Sequence, residues 1–202
     1  MKNAEKILSK KYIFKEEMDK IMPKAQSDDL WHKASKKLEE LLIRYSSLPK
    51  GVHIHSDERI LPSAAVYLTL RDEIGREKAY QVIENGAVRG CISIEAKLQK
   101  LMKLPGMPNL FIRMWDPLVK RVFGPDNGFQ NTFYPGKKGE YRMDVTACPY
   151  CRITTELGCP EITGIFCDND ERIYGGLPGI KFERSSTLGK GADRCDFHIS
   201  RK

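Results

Sequence analysis

Glu140-Tyr141-Arg142-Met143-Asp144-Val145-Thr146-Ala147 is the stretch that decides the fold class. Tyr141, Met143, Val145 and Ala147 fall on one face of an extended chain, and Arg142, Asp144 and Thr146 on the other, because successive side chains of a strand point to opposite sides. The spacing therefore predicts a strand over 140–147 with one face buried. Working outward, the same period of two predicts strands over 129–134, 180–187 and 194–199, the last alternating Cys195, Phe197 and Ile199 with Asp196 and His198. Residues 149–157 and 160–168 read as short helices between them, the second opening on Pro160, a residue suited to a first turn.

Upstream the period lengthens to 3.6. Phe14, Met18, Ile21 and Met22 form one helical stripe, and Ala34, Leu38, Leu41, Leu42 and Tyr45 a second. After Pro49 a polar loop holding His53 and His55 is expected to run to Pro62, followed by a short helix over 63–73. Ala79, Val82, Ile83, Ala87, Ile94, Leu98, Leu101 and Met102 give a longer face with a break expected at Gly86 and Gly90, and Phe111 to Val122 a further stripe kinked at Pro117. The expected fold is α+β: one domain over 1–202, mainly helical over 1–125, then a small, mainly antiparallel sheet with inserted short helices over the cysteine-rich 126–202.

Composition narrows the function classes. With 202 residues, 41% apolar, 34 basic against 27 acidic side chains and a formal charge of +7, the chain has enough material for one core and too much polarity for an integral membrane protein. Residues 141–202 balance nine basic with nine acidic groups, so the excess positive charge lies away from the cysteines. Lysines and glutamates mix along the helical patterns instead of forming a basic stripe, which argues against nucleic acid as a partner. Met1 to Ile21 has no continuous apolar run and no later window reaches the roughly 18 apolar residues of a membrane span, so a cytoplasmic protein with reduced thiols is expected. Glycine-rich dinucleotide, phosphate-loop and His-Glu-x-x-His patterns do not occur, so no cofactor is expected.

Five of the six cysteines, Cys148, Cys151, Cys159, Cys167 and Cys195, lie in the final third. Cys148-Pro149-Tyr150-Cys151 opens a helix, where the helix terminus favours a thiolate, and the pair could cycle redox state or contribute, with the other cysteines and His198, to a zinc or iron-sulfur centre. Against a metal, the cysteine spacings match no standard pattern, and strand alternation sends Cys195 and His198 to opposite faces. Cys167 with Asp170, and Cys195 with Asp196, pair a thiol with a carboxylate able to move protons or orient water. Thr187, Gly189 and Gly191 form a turn open to close approach by a small carboxylate or an oxyanion, and Arg184 is able to pair with such a carboxylate. Structural packing remains the competing reading of the thiols, and His32, His53 and His55 receive no catalytic role from position alone.

The ordered runs Cys148-Pro149-Tyr150-Cys151, Glu156-Leu157-Gly158, Pro160-Glu161-Ile162, Phe166-Cys167-Asp168-Asn169-Asp170, Phe182-Glu183-Arg184, Thr187-Leu188-Gly189 and Gly191-Ala192-Asp193-Arg194-Cys195-Asp196-Phe197 resemble the L-2-amino-thiazoline-4-carboxylic acid hydrolase family. The turn Ile74-Gly75 and the helix opening Glu77-Lys78-Ala79 resemble its helical half. The resemblance implies a hydrolase acting on a carbon-nitrogen bond of a small cyclic amidine, with 2-amino-thiazoline-4-carboxylate opened to N-carbamoyl-cysteine. The positions that match its cysteine-acid pattern are Cys148, Cys167 with Asp170, and Cys195 with Asp196, while His198 stands where the family often has arginine and is expected, with Arg184, Thr187, Gly189 and Gly191, to bind the substrate. As a mechanism, a thiolate at Cys195 or Cys167 attacks the amidine carbon, Asp170 or Asp196 handles protons, and the turn at 187–191 stabilises developing charge. Direct water attack assisted by a carboxylate uses the same residues. A metal-binding or redox protein and a noncatalytic small-molecule binding domain are the other two classes; oligomeric state is left open.

Overall fold

In the computed structural model, which describes residues 3–202, the alternating stretch is a strand over Glu140–Ala147 (β2) with Tyr141, Met143 and Val145 buried. It pairs antiparallel on one side with Gln130–Tyr134 (β1) and on the other with Cys195–Arg201 (β4), and β4 pairs antiparallel with Ile180–Glu183 (β3). The sheet order is β1-β2-β4-β3. The inward face carries Tyr141, Met143, Val145, Ile180, Phe182, Cys195 and Ile199; Arg142, Asp144, Lys181, Glu183, Asp196 and His198 share the other. That division places Cys195 and Asp196 on opposite sides of one sheet.

The strand expected over 180–187 stops at Glu183 because Asp196 takes the backbone of the next turn. Its carboxylate accepts from Ser185 N–H at 3.0 Å and Ser186 N–H at 2.7 Å, and from both serine hydroxyls. Those amides are thereby removed from any strand ladder.

The helical part comprises Ala4–Ser9 (α1), Tyr12–Ile21 (α2), Lys24–Arg44 (α3), Lys50–His55 (α4), Leu61–Ile74 (α5), Arg76–Met102 (α6) and Met107–Phe123 (α7), with Pro149–Glu156 (α8) and Thr163–Tyr174 (α9) inserted between β2 and β3. Every residue from Leu61 to Leu68 is buried, so the first two turns of α5 have no solvent face, and the helix packs between α3 and α6. On the other side of α6 lies α9, and α9 and α7 reach the sheet. The helical half and the sheet meet along this line.

Two local expectations are corrected. His53 and His55 do not lie in a loop: α4 passes through a single π-helical turn, Ser56–Ile60, directly into α5. Leu61 N–H bonds to Ser56 C=O, five residues back, and the next residue, Pro62, has no N–H to donate. The wider turn accommodates a ring that an ordinary helical turn would push against the preceding carbonyl. Gly86 and Gly90 do not break α6; a Cβ at Gly86 would lie 2.3 Å from the Phe14 ring, so the glycine lets α2 close on α6. Pro117 lies inside α7, which continues to Phe123.

Candidate active site

Cys167 lies in the second turn of α9, and Cys195 is the first residue of β4. Between them in sequence, the turn Leu188–Lys190 folds over both sulfurs. The Leu188 N–H donates to Cys195 Sγ at 3.2 Å, while a Cβ at Gly189 would lie 2.7 Å from Cys167 Sγ and 3.1 Å from Thr163 Cγ2. The backbone thus approaches Cys167 as closely as it does only because residue 189 has no side chain. The two thiols hydrogen-bond to each other. The bond received from Cys195 is the main influence lowering the Cys167 thiol to about 7; burial opposes it, and Thr187 and the Arg184 charge assist it. Cys195, as the donor and in a buried position, is held strongly towards its neutral form despite the Leu188 amide.

Thr187 is only 6% exposed, and its hydroxyl has no hydrogen-bond partner of ordinary geometry. It nevertheless faces Cys167 closely enough to favour a thiolate there. A neutral thiol is a weak acceptor and leaves the hydroxyl unsatisfied; a thiolate is a strong one, so ionisation of Cys167 supplies the missing partner.

Arg184 binds the site from behind. Its side chain is 4% exposed, its Nη1 donates to Asp170 Oδ2 at 3.0 Å and its Nη2 to the Cys167 carbonyl at 2.8 Å. The guanidinium lies 5.7 Å and 5.3 Å from the ring centroids of Phe182 and Phe197. It is fully engaged with the protein and serves as a positioning group, not as the receptor for an incoming carboxylate. Asp170 keeps 35% side-chain exposure, yet removal from water pushes its carboxyl up to about 6 even though Arg184 pulls the other way.

The cluster of thiols continues towards α8. Cys148 precedes that helix and Cys151 lies in its first turn; their thiols hydrogen-bond, which with burial raises Cys148 and, against burial, lowers Cys151. Cys167 is close enough to Cys151 to affect it electrostatically, so the two thiol pairs are neighbours. Tyr150, buried between Phe129 and Phe166, has its hydroxyl 3.1 Å from His55 Nδ1. His55 Nε2 lies 2.8 Å from the Val122 carbonyl, which requires the proton on Nε2 and leaves Nδ1 to accept from the tyrosine. Burial lowers the histidine further from its ordinary range, consistent with this neutral tautomer.

Cys167, Asp170, Arg184, Thr187, Gly189 and Cys195 therefore converge, with Cys148 and Cys151 adjoining. Asp196 and His198 do not join them. Asp196, held down to about 2 by the serine bonds against the upward push of burial, caps the turn at 185–186 on the far face. His198 Nε2 is 2.7 Å from Glu140 and Nδ1 3.2 Å from Glu183, also on that face. Gly191 closes the turn with φ +88° and touches neither thiol. Cys91, Tyr150 and Tyr174, which the sequence reading did not assign, all feel the charge of Asp170. Among the described residues no three His, Cys, Asp or Glu side chains converge as a metal-binding group. Open hollows of about 460 Å³, beside Asn3, His32 and Glu39, and about 350 Å³, beside Asp116, Tyr134 and Glu140, include no cysteine in their linings. The convergence of titrating groups, not hollow size, identifies the candidate site.

No helix among the described residues is long and apolar enough to cross a membrane. No curated protein and no solved structure matches the chain. The profile of one family does match, over residues 53–199, a span that runs from the histidine-bearing helix to the last strand and includes every converging side chain named above. On that match, the chain belongs to the L-2-amino-thiazoline-4-carboxylic acid hydrolase family.

Proposed function

We propose that the protein hydrolyses a small cyclic amidine bearing a carboxylate, such as 2-amino-thiazoline-4-carboxylate, with Cys167 as nucleophile and Asp170 as the proton-handling group. The observation that carries this reading is a thiol lowered to about 7, backed by Cys195, Thr187 and Arg184, one helical turn from a carboxyl raised to about 6. At neutral pH both are substantially ionised. Atom balance relocates the scissile bond: N-carbamoyl-cysteine keeps both nitrogens of the amidine and gains a free thiol, so carbon-sulfur cleavage replaces the carbon-nitrogen cleavage expected from sequence.

The Cys167 thiolate adds to the amidine carbon. The ring carbon-sulfur bond then breaks, its electron pair leaves on the ring sulfur, and that sulfur takes a proton from solvent water, giving an isothiourea on Cys167. Water adds to the same carbon as Asp170 accepts its proton; the carbon-Sγ bond breaks and Cys167 departs as thiolate, the remaining hydroxyl proton passes to the adjoining imine nitrogen to leave the carbamoyl oxygen, and Asp170 returns its proton to solvent. The Leu188–Lys190 turn lies beside the sulfur where charge develops.

Intact-protein mass spectrometry during turnover of 2-amino-thiazoline-4-carboxylate is expected to find enzyme plus the mass of intact substrate, located at Cys167, with N-carbamoyl-cysteine as product. Turnover by Cys167→Ser with no adduct on any cysteine would replace the covalent route with direct water attack; absence of turnover by the wild type would end the hydrolase reading. The hydrogen-bonded Cys148 and Cys151 thiols favour a second reading, a dithiol that closes by losing one hydrogen from each. Reversible closure of that pair by mild peroxide, without ring-opening activity, is the result that distinguishes it.

A further inference from the structure

Helix α7 buries one side and leaves an apolar ridge on the other. Ile112 and Val119 are buried, and Phe111 and Trp115 turn towards Tyr174 of α9, with ring centroids 6.4 Å and 4.8 Å from it. At about 100° per residue, Leu110, Met114 and Pro117 then fall on the opposite side with Leu118 beside them. All four are exposed, Met114 by 58%. The end of α6 and the turn that follows it leave Ile94, Leu101 and Leu104 exposed as well. A surface helix of a globular protein ordinarily turns polar side chains outwards, so an apolar outer ridge signals a contact made with something else.

The charge along this stretch is one-sided. Lys97, Lys100, Lys103, Arg113, Lys120 and Arg121 are exposed, against two carboxylates, Glu95 and Asp116. Asp116 is held by Lys120 at 2.8 Å, and Glu95 accepts from Gln99 at 3.0 Å. The other five cations make no ion pair among the described residues. Elsewhere lysines find carboxylates: Lys15 pairs with Asp19 and Asp28, Lys33 with Asp29 and Glu73, Lys37 with Glu40. The complement that this face lacks is therefore anionic. A second copy of the chain would set cations against cations. A nucleic acid would neutralise them but offer nothing to protruding aliphatic side chains, since its bases are stacked on aromatic rings or read by polar groups. An acidic protein would need a groove to receive a convex ridge. A bilayer with anionic headgroups supplies hydrocarbon for Leu110, Met114 and Leu118 and negative charge at the level that lysine and arginine stems reach. No spanning segment is needed, because such a helix lies in the plane of the interface.

We infer that the outer face of α7, with the end of α6, docks the protein on an anionic membrane surface, and that Leu110, Met114 and Leu118 are the side chains that insert. The inference does not rest on the hydrolase reading. It is tested by flotation of the full chain with phosphatidylcholine vesicles, with and without phosphatidylserine, at low and high salt. The wild type is expected to float only with the phosphatidylserine vesicles and to be released by salt. Leu110→Glu with Met114→Glu is expected to lower partitioning about 100-fold, and Arg113→Gln with Arg121→Gln about 10-fold. Lys24→Gln with Lys36→Gln, which removes the same charge from exposed positions on α3, is expected to leave it within about 2-fold. Circular dichroism checks that each variant is folded, and the arginine pair keeps the test open if the glutamate pair is not. Absence of flotation at low salt, flotation unchanged in the folded glutamate or arginine pair, or an equal loss in the α3 pair would each overturn the inference. So would a dimer in light scattering that the glutamate pair dissolves, which gives the face to a second copy, or binding of polyglutamate without binding of vesicles, which gives it to an acidic protein.

Discussion

At Cys167 burial and hydrogen bonding pull in opposite directions, and the balance falls on the side of the thiolate. The largest favourable influence is the S–H of Cys195, so the ionisation of one sulfur depends on the other staying protonated. Cys195→Ala deletes that donor at small cost in volume. The expected outcome is that the midpoint for alkylation of Cys167 by iodoacetamide, resolved by peptide mass spectrometry, moves from about pH 7 towards the ordinary thiol value of 9.0. An unmoved midpoint would assign the lowered value to Thr187 and Arg184 instead. The linkage signs are opposite at the two groups. Cys167, lowered on folding, stabilises the fold at high pH and loses that contribution as pH falls through about 7; activity that needs its thiolate falls over the same window. Asp170, raised from 3.8 to about 6, favours the fold at acid pH, and that contribution is lost as pH rises through about 6.

Among the elements, the turn after β3 decides whether those residues meet at all. Asp196 gathers two amides and two hydroxyls of Ser185 and Ser186, and the chain leaves the strand there to bring Thr187 and Gly189 over the sulfurs. Asp196→Asn keeps the shape and removes the charge. The expected cost is about 1–2 kcal/mol in urea-unfolding free energy at pH 7, since the bonds are charge-assisted but partly exposed, with ring-opening activity retained at temperatures where the variant is folded. Loss of turnover with no loss of stability would return Asp196 to the proton-handling role read from sequence. The physics also explains what the sequence made legible. A half-buried strand has a period of two with one apolar face, so 140–147 could be read to its ends. The end of β3 could not, because it is fixed by a carboxylate eleven residues beyond Ser185. The polar run with His53 and His55 resembled a loop because Pro62 follows it, and nothing local distinguishes a terminating proline from one fitted by a π turn. Thiols, acids and the glycine turn were visible as residue types near one another in the chain. Tyr150 and His55 were not, since they meet across 95 positions and only the packing of α4 against α8 brings them together.

For the molecule as a whole, the same long-range contacts argue that the helical part and the cysteine-rich part unfold together. Tyr45 donates to Glu156 at 3.0 Å, Arg71 Nη1 to the Gly158 carbonyl at 2.7 Å, and Tyr67, fully buried in α5, to Glu161. With His55 and Tyr150, these join α3, α4 and α5 to α8 and the turn that follows it. The apolar core is continuous as well: Ile60 and Leu61 belong to one cluster with Ile153, Ile162, Ile165 and Ile199. Exposing either part would strip the other of buried surface and leave polar groups such as His55 Nδ1 without partners, a cost larger than the entropy recovered by loosening one of them. Thermal unfolding of the reduced chain at pH 7 is therefore expected to be one transition, with calorimetric and van't Hoff enthalpies equal within error and with near-ultraviolet and far-ultraviolet circular dichroism tracing the same curve. Residues 126–202 expressed alone are expected not to reach the native spectrum, because the face of α9 that packs on α6 would be uncovered. Two resolved transitions, or a folded 126–202 fragment with the Cys167 thiol still titrating near 7, would mean that the site is built by the sheet and its inserted helices without the helical half.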